Sequence, residues 1–229
     1  MVVSRTPDDY ECQEYSLRVS GMTLRLLGPK YPHALNDDPE VRRRCEEDGY
    51  KPHWALPFPA SVMLAEYVIR HVQPGPDPVL ELGAGLGIAG ISLSMAGFPM
   101  VITDYDEDAL AFIRASAQRN GTPLREVRLL DWRKPPAEQY AMIVGADIVY
   151  ERRSLRPIAA LLATRLKPGG RAFISDPNRT MGDEFPDALR TAGLTFETVK
   201  AQAKAIPAFD AIDGRVFHGR VFCISAKCP

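Results

Sequence analysis

Cysteine is scarce: the 229 residues hold only Cys12, Cys45, Cys223 and Cys228, and no two form a C-x-x-C pair. The four histidines, His33, His53, His71 and His218, are as scattered. Such spacing argues against a zinc site or a disulfide framework, and points to free thiols in a reducing cytoplasm with no bound metal. Long apolar runs are missing too. No segment approaches the ~18 consecutive apolar residues of a membrane span. The opening MVVSRTPDDYECQEY has no apolar stretch of the signal-peptide kind. A soluble, cytoplasmic protein without a membrane partner is expected. Net charge is nearly absent: 28 Lys+Arg against 29 Asp+Glu leave -1. That offers nucleic acid no global attraction, and no nucleic-acid partner is expected. The one dense basic run, Arg42-Arg43-Arg44, is followed at once by Glu46, Glu47 and Asp48 and reads as a solvated helix face.

What the chain has in excess is punctuation, with 20 Pro and 17 Gly. Proline breaks helix interiors, so coiled coils and long bundles are disfavoured and many short elements are expected. The composition, 45% hydrophobic and 25% charged, is that of an ordinary globular protein able to bury a core.

The first 75 residues differ from the rest. Gln13 to Val19 alternates, Ser20-Gly21 turns, and Met22 to Leu27 alternates again, which is a hairpin. Asp38 caps a short polar helix with Pro39 at its first position, and Gly49 ends it. Trp54 to Pro59 is aromatic and Pro-rich, too stiff for a helix. Ser61 then caps a helix with Leu64, Ala65, Val68, Ile69 and Val72 as its apolar stripe. The Pro74–Pro78 run is hard punctuation, so residues 1–75 form an extension packed on a core of 76–229, effectively one domain.

After that boundary strands and helices alternate. Strands are expected at Val79–Leu82, Met100–Thr103, Leu124–Leu130, Ala141–Ile148, Arg171–Ser175, Leu194–Lys200 and Gly214–Ala226. Alternation means a mostly parallel α/β sheet of Rossmann-like type with helices on both faces. The last two strands are joined only by a loop around Pro207 and should pair antiparallel. Ligands of such sheets bind outside the carboxyl ends of the strands.

Val79-Leu80-Glu81-Leu82-Gly83-Ala84-Gly85-Leu86-Gly87 is a strand running into a glycine turn that opens a helix. Glycine lets the backbone approach a ligand, and a helix N-terminus offers free N–H groups. Gly85, Gly87 and Gly90 also fit G-x-G-x-x-G, but that match starts late relative to the strand. The next strands end in acids: Asp104, then Asp131-Trp132, then Ala146-Asp147. Asp104 can accept from both ribose hydroxyls of either NAD or S-adenosylmethionine (SAM). Asp131 can accept from an adenine amino group beside the flat wall of Trp132. A site lined by Glu81, Asp104, Asp131 and Asp147 repels a pyrophosphate and suits a sulfonium with an ammonium.

The E-x-G-x-G-x-G loop and the closing antiparallel strand resemble the seven-stranded SAM-dependent methyltransferases over about residues 78–229. Within them the chain resembles family 16, which includes many protein-lysine methyltransferases. Asp147-Ile148-Val149-Tyr150 matches that family's D-x-x-Y motif, Leu130-Asp131-Trp132 its acid–Trp step, and Trp54 with Pro57 to Pro59 its aromatic approach segment. Asp176-Pro177-Asn178-Arg179 resembles the D-P-G-R of the electron transfer flavoprotein β-subunit lysine methyltransferases. Phe58 stands where a second Trp is usual, and Asn178 where Gly is usual.

The resemblance implies SAM as cofactor, S-adenosylhomocysteine as product and N-methylation of a protein lysine. Trp54, Glu81, Gly83, Gly85, Asp104, Tyr105, Asp131, Trp132 and Ala146 are then the expected cofactor contacts, and Asp147 and Tyr150 the catalytic residues. Asp147 can orient the amine and Tyr150 can offer an acceptor and an aromatic face. Trp54 and Phe58 can wall the channel and attract a methylated ammonium. Asp176 and Asn178 read first as a turn, the alternative being that Asp176 and Arg179 bind a substrate carboxylate or backbone. The alternatives are a small-molecule N- or O-methyltransferase, an NAD-dependent oxidoreductase, and a SAM-binding module without catalysis.

Overall fold

Residues 5–204, 206 and 216–226 are described in a computed structural model. Strands β1 (Cys12–Val19) and β2 (Met22–Pro29) pair antiparallel as the expected hairpin. Its turn residues Ser20 and Gly21 sit at φ 46 and 83. Positive φ at both positions gives a two-residue turn the right-handed twist the strands need. Helix α1 (Pro39–Asp48) starts as expected: an Asp38 oxygen accepts from the Glu40 and Val41 amides at 2.9 and 3.3 Å. Gly49 ends it in the left-handed region.

Two expectations fail in the next segment. One 3-10 turn, His53–Ala55, does form in the aromatic stretch. Helix α2 (Pro59–His71) starts at Pro59 after Phe58, with no side-chain cap. Proline's fixed φ suits the first helical position, so Ser61 falls inside the first turn, buried, instead of capping it.

The core then runs β3 (Val79–Leu82), α3 (Ile88–Met95), β4 (Met100–Asp104), α4 (Glu107–Arg119), β5 (Glu126–Leu129) and β6 (Tyr140–Ala146). It continues through α5 (Arg152–Arg165), β7 (Leu166–Asp176), α6 (Phe185–Thr191), β8 (Thr195–Lys204) and β9 (Val216–Ser225). β5 is shorter than expected, β8 extends past Lys200, and β7 begins at Leu166 with a register irregularity opposite Tyr140 and Met142. Pro207 and Gly214 lie outside the described residues, as does Cys228.

The sheet order is β5-β4-β3-β6-β7-β9-β8. All neighbours are parallel except β9, which is antiparallel to both β7 and β8 and lies between them. From β3 the chain moves outward through β4 and β5, then crosses back to β6 on the other side. That reversal is the switch point where open α/β sheets bind ligands. The hairpin docks on α4: Leu27 donates its amide to Ser116 at 3.0 Å, and Asn120 brackets the Arg25 amide and carbonyl at 2.9 and 2.7 Å. Side chains thereby satisfy the open edge of β2. No helix among the described residues is long and apolar enough to cross a membrane.

One face of the sheet packs on α2, α3 and α4, the other on α5 and α6. Alternation along β3 puts Leu80 and Leu82 on the α5 face and Val79 on the α3 face. Glu81 shares Val79's side. It is fully buried; Oε1 accepts from the Gly90 amide at 3.1 Å and Oε2 has no hydrogen-bond partner among the described residues. A Cβ on Gly90 would strike that carboxyl, so this glycine serves close packing. Burial pushes the Glu81 carboxyl up to about 8. Its folded value lies above the unfolded one, so its stabilising contribution is full below about pH 4.5 and is lost as pH rises toward 8. Glu81→Gln should therefore melt higher than wild type at pH 8, with the gap closing by pH 5. At this size about 1 kcal/mol is roughly 2–4 °C, and a gap of at least that is expected in a thermal melt. Equal melting temperatures at both pH values would refute a neutral buried Glu81.

Candidate functional site

A cavity of about 440 Å³ opens at the carboxyl ends of β3, β4 and β6. Its floor is the turn from β3 into α3, with Gly83, Gly85 and Gly87 at φ 61, 57 and 82. A Cβ on Gly83 would come within 2.9 Å of Ile148 and 3.1 Å of Trp132, and one on Gly85 within 3.3 Å of the Trp54 carbonyl. Only glycine fits this turn, on φ and on space alike.

Asp104 ends β4 against that floor. One oxygen accepts from the Gly85 amide at 2.8 Å and the other from the Asp106 amide at 3.0 Å. A carboxylate has about four acceptor sites, so roughly two remain. Burial raises the Asp104 carboxyl to about 6. Tyr105 lies at the rim between the guanidinium groups of Arg44 and Arg133, 5.5 and 5.2 Å from its ring. Asp131 accepts from Arg133 Nε at 2.8 and 3.0 Å. Burial opposes its ionisation, but the Arg133 hydrogen bonds outweigh this and hold the carboxyl below its ordinary value. Trp132 and Ala146 line the same cavity.

The far end is built by Asp147, Tyr150 and a residue from the turn after β7. Asp147 sits at φ 55, strained for a non-glycine residue, with its amide bonded to the Ser175 carbonyl at 2.8 Å. Both its oxygens accept from Arg179, Nε at 2.5 Å and Nη2 at 2.7 Å. Behind this pair Asp176, wholly buried, accepts from the Arg179 amide at 3.2 Å and from Arg220 Nε at 2.8 Å. The 176–179 segment is thus the expected turn, and it also aims Arg179 at Asp147. The Tyr150 hydroxyl is pushed up to about 12, chiefly by burial and then by Glu151, Asp104 and Asp147.

Most of the expected residues converge here, with two corrections. Glu81 does not line the cavity: strand alternation turns it beneath α3, so the negative edge consists of Asp104, Asp131 and Asp147 without it. Trp54 lines the cavity, but its ring is buried against Tyr10 and Phe112, and its main chain makes the approach to Gly85. The basic run also divides. Arg43 bridges Glu40 and Glu47 on the solvated face, whereas Arg44 turns inward over the Tyr50 ring at 3.5 Å and reaches Asp106 at 3.2 Å. Residues 48–51 roof the cavity, with Arg153 bonded to the Asp48 and Gly49 carbonyls and the Tyr50 hydroxyl bonded to Asp106. Sequence reasoning missed this roof and His53 in the wall, because their partners lie 56 to 105 residues away.

A family model described as lysine methyltransferase matches residues 47–185. The chain is 40% identical over 125 residues to protein N-lysine methyltransferase METTL21A of Xenopus tropicalis, covering 51% of this chain and 55% of that protein. It is 32% identical over 114 residues to histone-arginine methyltransferase METTL23 of Mus musculus, covering 45% and 44%. The chain thus spans about half the length of the curated relatives it matches. The T. thermophilus 16S rRNA methyltransferase RsmC, solved with AdoMet and guanosine, superposes with a TM-score of 0.60 at 18% identity. That alignment covers 94% of this chain and 50% of RsmC and reports on the fold alone.

Proposed function

The chain belongs to the lysine methyltransferase family, and from that premise we propose that it methylates a lysine amine of a protein substrate with SAM. The observation carrying this reading is Asp104: a buried carboxylate with spare lone pairs, bonded to the Gly85 amide at the switch point of the sheet. A glycine floor that any Cβ would fill and a carboxylate rim fit a nucleoside bearing a sulfonium and an ammonium. Bound there, SAM supplies an activated methyl group and leaves as S-adenosylhomocysteine. Asp104 would accept from the ribose hydroxyls, and Asp131 from the adenine amine. Trp132 and Tyr105 would flank the base, and Ala146 would border the reacting end. Glu81 acts indirectly, by holding the first turn of α3.

Methyl transfer needs alignment and exclusion of water more than acid–base help. Asp147 and Tyr150 orient the acceptor nitrogen, and the 48–51 roof closes the cavity above it. The extension of residues 1–75 serves the 76–229 core as one unit, and the free thiols of Cys12, Cys45 and Cys223 fit a cytoplasmic site.

Calorimetry with SAM, S-adenosylhomocysteine and NAD tests the reading. One SAM per chain and no NAD is the expected result; tight NAD binding without SAM binding would overturn it. Tritiated SAM with a lysate then separates a protein acceptor, which retains label on precipitation, from a small-molecule one.

A further inference from the structure

One titratable group at the acceptor end has no part in the scheme above. His53 opens the 3-10 turn between α1 and α2 and lines the cavity. Its ring meets Tyr150 edge-on, with centroids 5.4 Å apart and planes at 86°. Neither ring nitrogen is hydrogen-bonded to a described residue, so the imidazole faces the cavity with both nitrogens uncommitted. Of its neighbours, Asp147 is ion-paired to Arg179 through both oxygens, and the Tyr150 hydroxyl, raised to about 12, keeps its proton.

A lysine acceptor arrives as an ammonium. With an ordinary value near 10.4, only about one amine in 2,500 is neutral at pH 7. An amine that keeps its proton has no lone pair to attack with. We propose that His53 takes the proton from the acceptor ammonium before methyl transfer. This inference rests on the lysine reading above.

The charges around His53 suit the task. Burial, then Lys51 on its own segment and Arg179 from the turn after β7, disfavour the imidazolium, while Glu151 and Asp147 favour it. The balance holds the imidazole below its ordinary value, neutral and able to accept at pH 7. The same Arg179 charge, with the sulfonium, weakens the acceptor's hold on its third proton. In the step, an N–H bond of the ammonium breaks with its pair left on nitrogen, and the proton passes to an imidazole nitrogen. The freed amine bonds the methyl carbon, and the carbon–sulfur pair stays on sulfur. The imidazolium then releases its proton to water.

His53→Phe keeps an aromatic edge against Tyr150 and removes the base; His53→Gln serves if the phenylalanine variant melts early. Methyl transfer is read with tritiated SAM on lysate protein from a strain lacking this chain, hydrolysed so that methyl-lysines are resolved, from pH 6 to 10. SAM binding should stay within about threefold of wild type by calorimetry. Methyl-lysine formation at pH 7 should fall about 100-fold or more, within the roughly 100- to 10,000-fold range that general bases contribute. The gap should narrow toward pH 10, where about a quarter of the acceptor amines are neutral unaided, and added imidazole should restore part of the rate at pH 7. The imidazole proton resonance lost in the variant should titrate below 6.5 in wild type. A wild-type-to-variant ratio independent of pH, or a resonance titrating above 7, would overturn the role of His53 and leave the methyltransferase reading standing. Absence of methyl-lysine from wild type at every pH, with SAM bound, would overturn the lysine reading and this inference with it.

Discussion

Asp147→Asn should bind SAM within about threefold of wild type while forming methyl-lysine on the order of 1000-fold more slowly. The contrast follows from where the side chain points. Both its oxygens accept from Arg179 at one end of the cavity, whereas Asp104, the proposed ribose acceptor, accepts from the Gly85 amide on the floor. Asparagine tolerates the φ of 55 that most residues resist, so the turn after β6 keeps its shape. Its amide cannot accept both Arg179 donors, and the guanidinium loses its bidentate seat. The acceptor then meets an amide donor and an unanchored cation where a carboxylate had been. Removing one preorganised polar group aimed at a reacting centre typically costs about 100- to 1000-fold. Loss of the Arg179 geometry places this variant at the upper end. Tritium transfer and calorimetry on the same preparation provide both readings, and near-normal turnover would remove Asp147 from the acceptor site.

Asp104→Ala should weaken SAM binding by roughly 100-fold or more, because two hydrogen bonds to a charged acceptor contribute about 1.5–3 kcal/mol each. Asp104→Asn should fall between, since one amide oxygen can still accept. Wild type should show the same dependence on pH. Burial raises the Asp104 carboxyl to about 6 in the free protein, and the ribose hydroxyls donate to the ionised form. Affinity should thus be level above pH 7 and fall about tenfold per pH unit below 6. The alanine variant should lack that slope. Calorimetry at pH 5, 6 and 7.5 checks both, and a flat wild-type profile would mean that the ribose is held by something else.

Much of this was legible wherever cause and effect are close in sequence. Asp38 caps the helix that follows it. The left-handed pair Ser20 and Gly21 makes the hairpin, and strands ending in acids bring Asp104 and Asp147 to one rim. Legibility stops where a partner is distant. Arg43 has its acids three and four positions away, so a solvated face could be read. Arg44, its neighbour, answers to Asp106 across 62 positions. Arg179 likewise meets Asp147 only once β6 and β7 lie side by side. Glu81 was misplaced for another reason. All four residues of β3 are buried, so polarity does not alternate, and nothing in VLEL says which face the acid takes. Proline at the first turn of α2 outweighed the cap offered by Ser61.

The position of β9 bears on how the chain is made. β4 through β7 can each join the sheet beside a strand already synthesised. β8 cannot, because its only neighbour among the described strands is β9, which follows it in sequence. On a translating ribosome β8 therefore waits with both edges bare until about 20 more residues have been added, some one to four seconds at roughly 5–20 residues per second. Until then, Asp176 also lacks Arg220, which arrives on β9. The turn that aims Arg179 is completed only after β9 is made, so a chain not yet extended through β9 holds the glycine floor of the cavity but not its finished Asp147–Arg179 end.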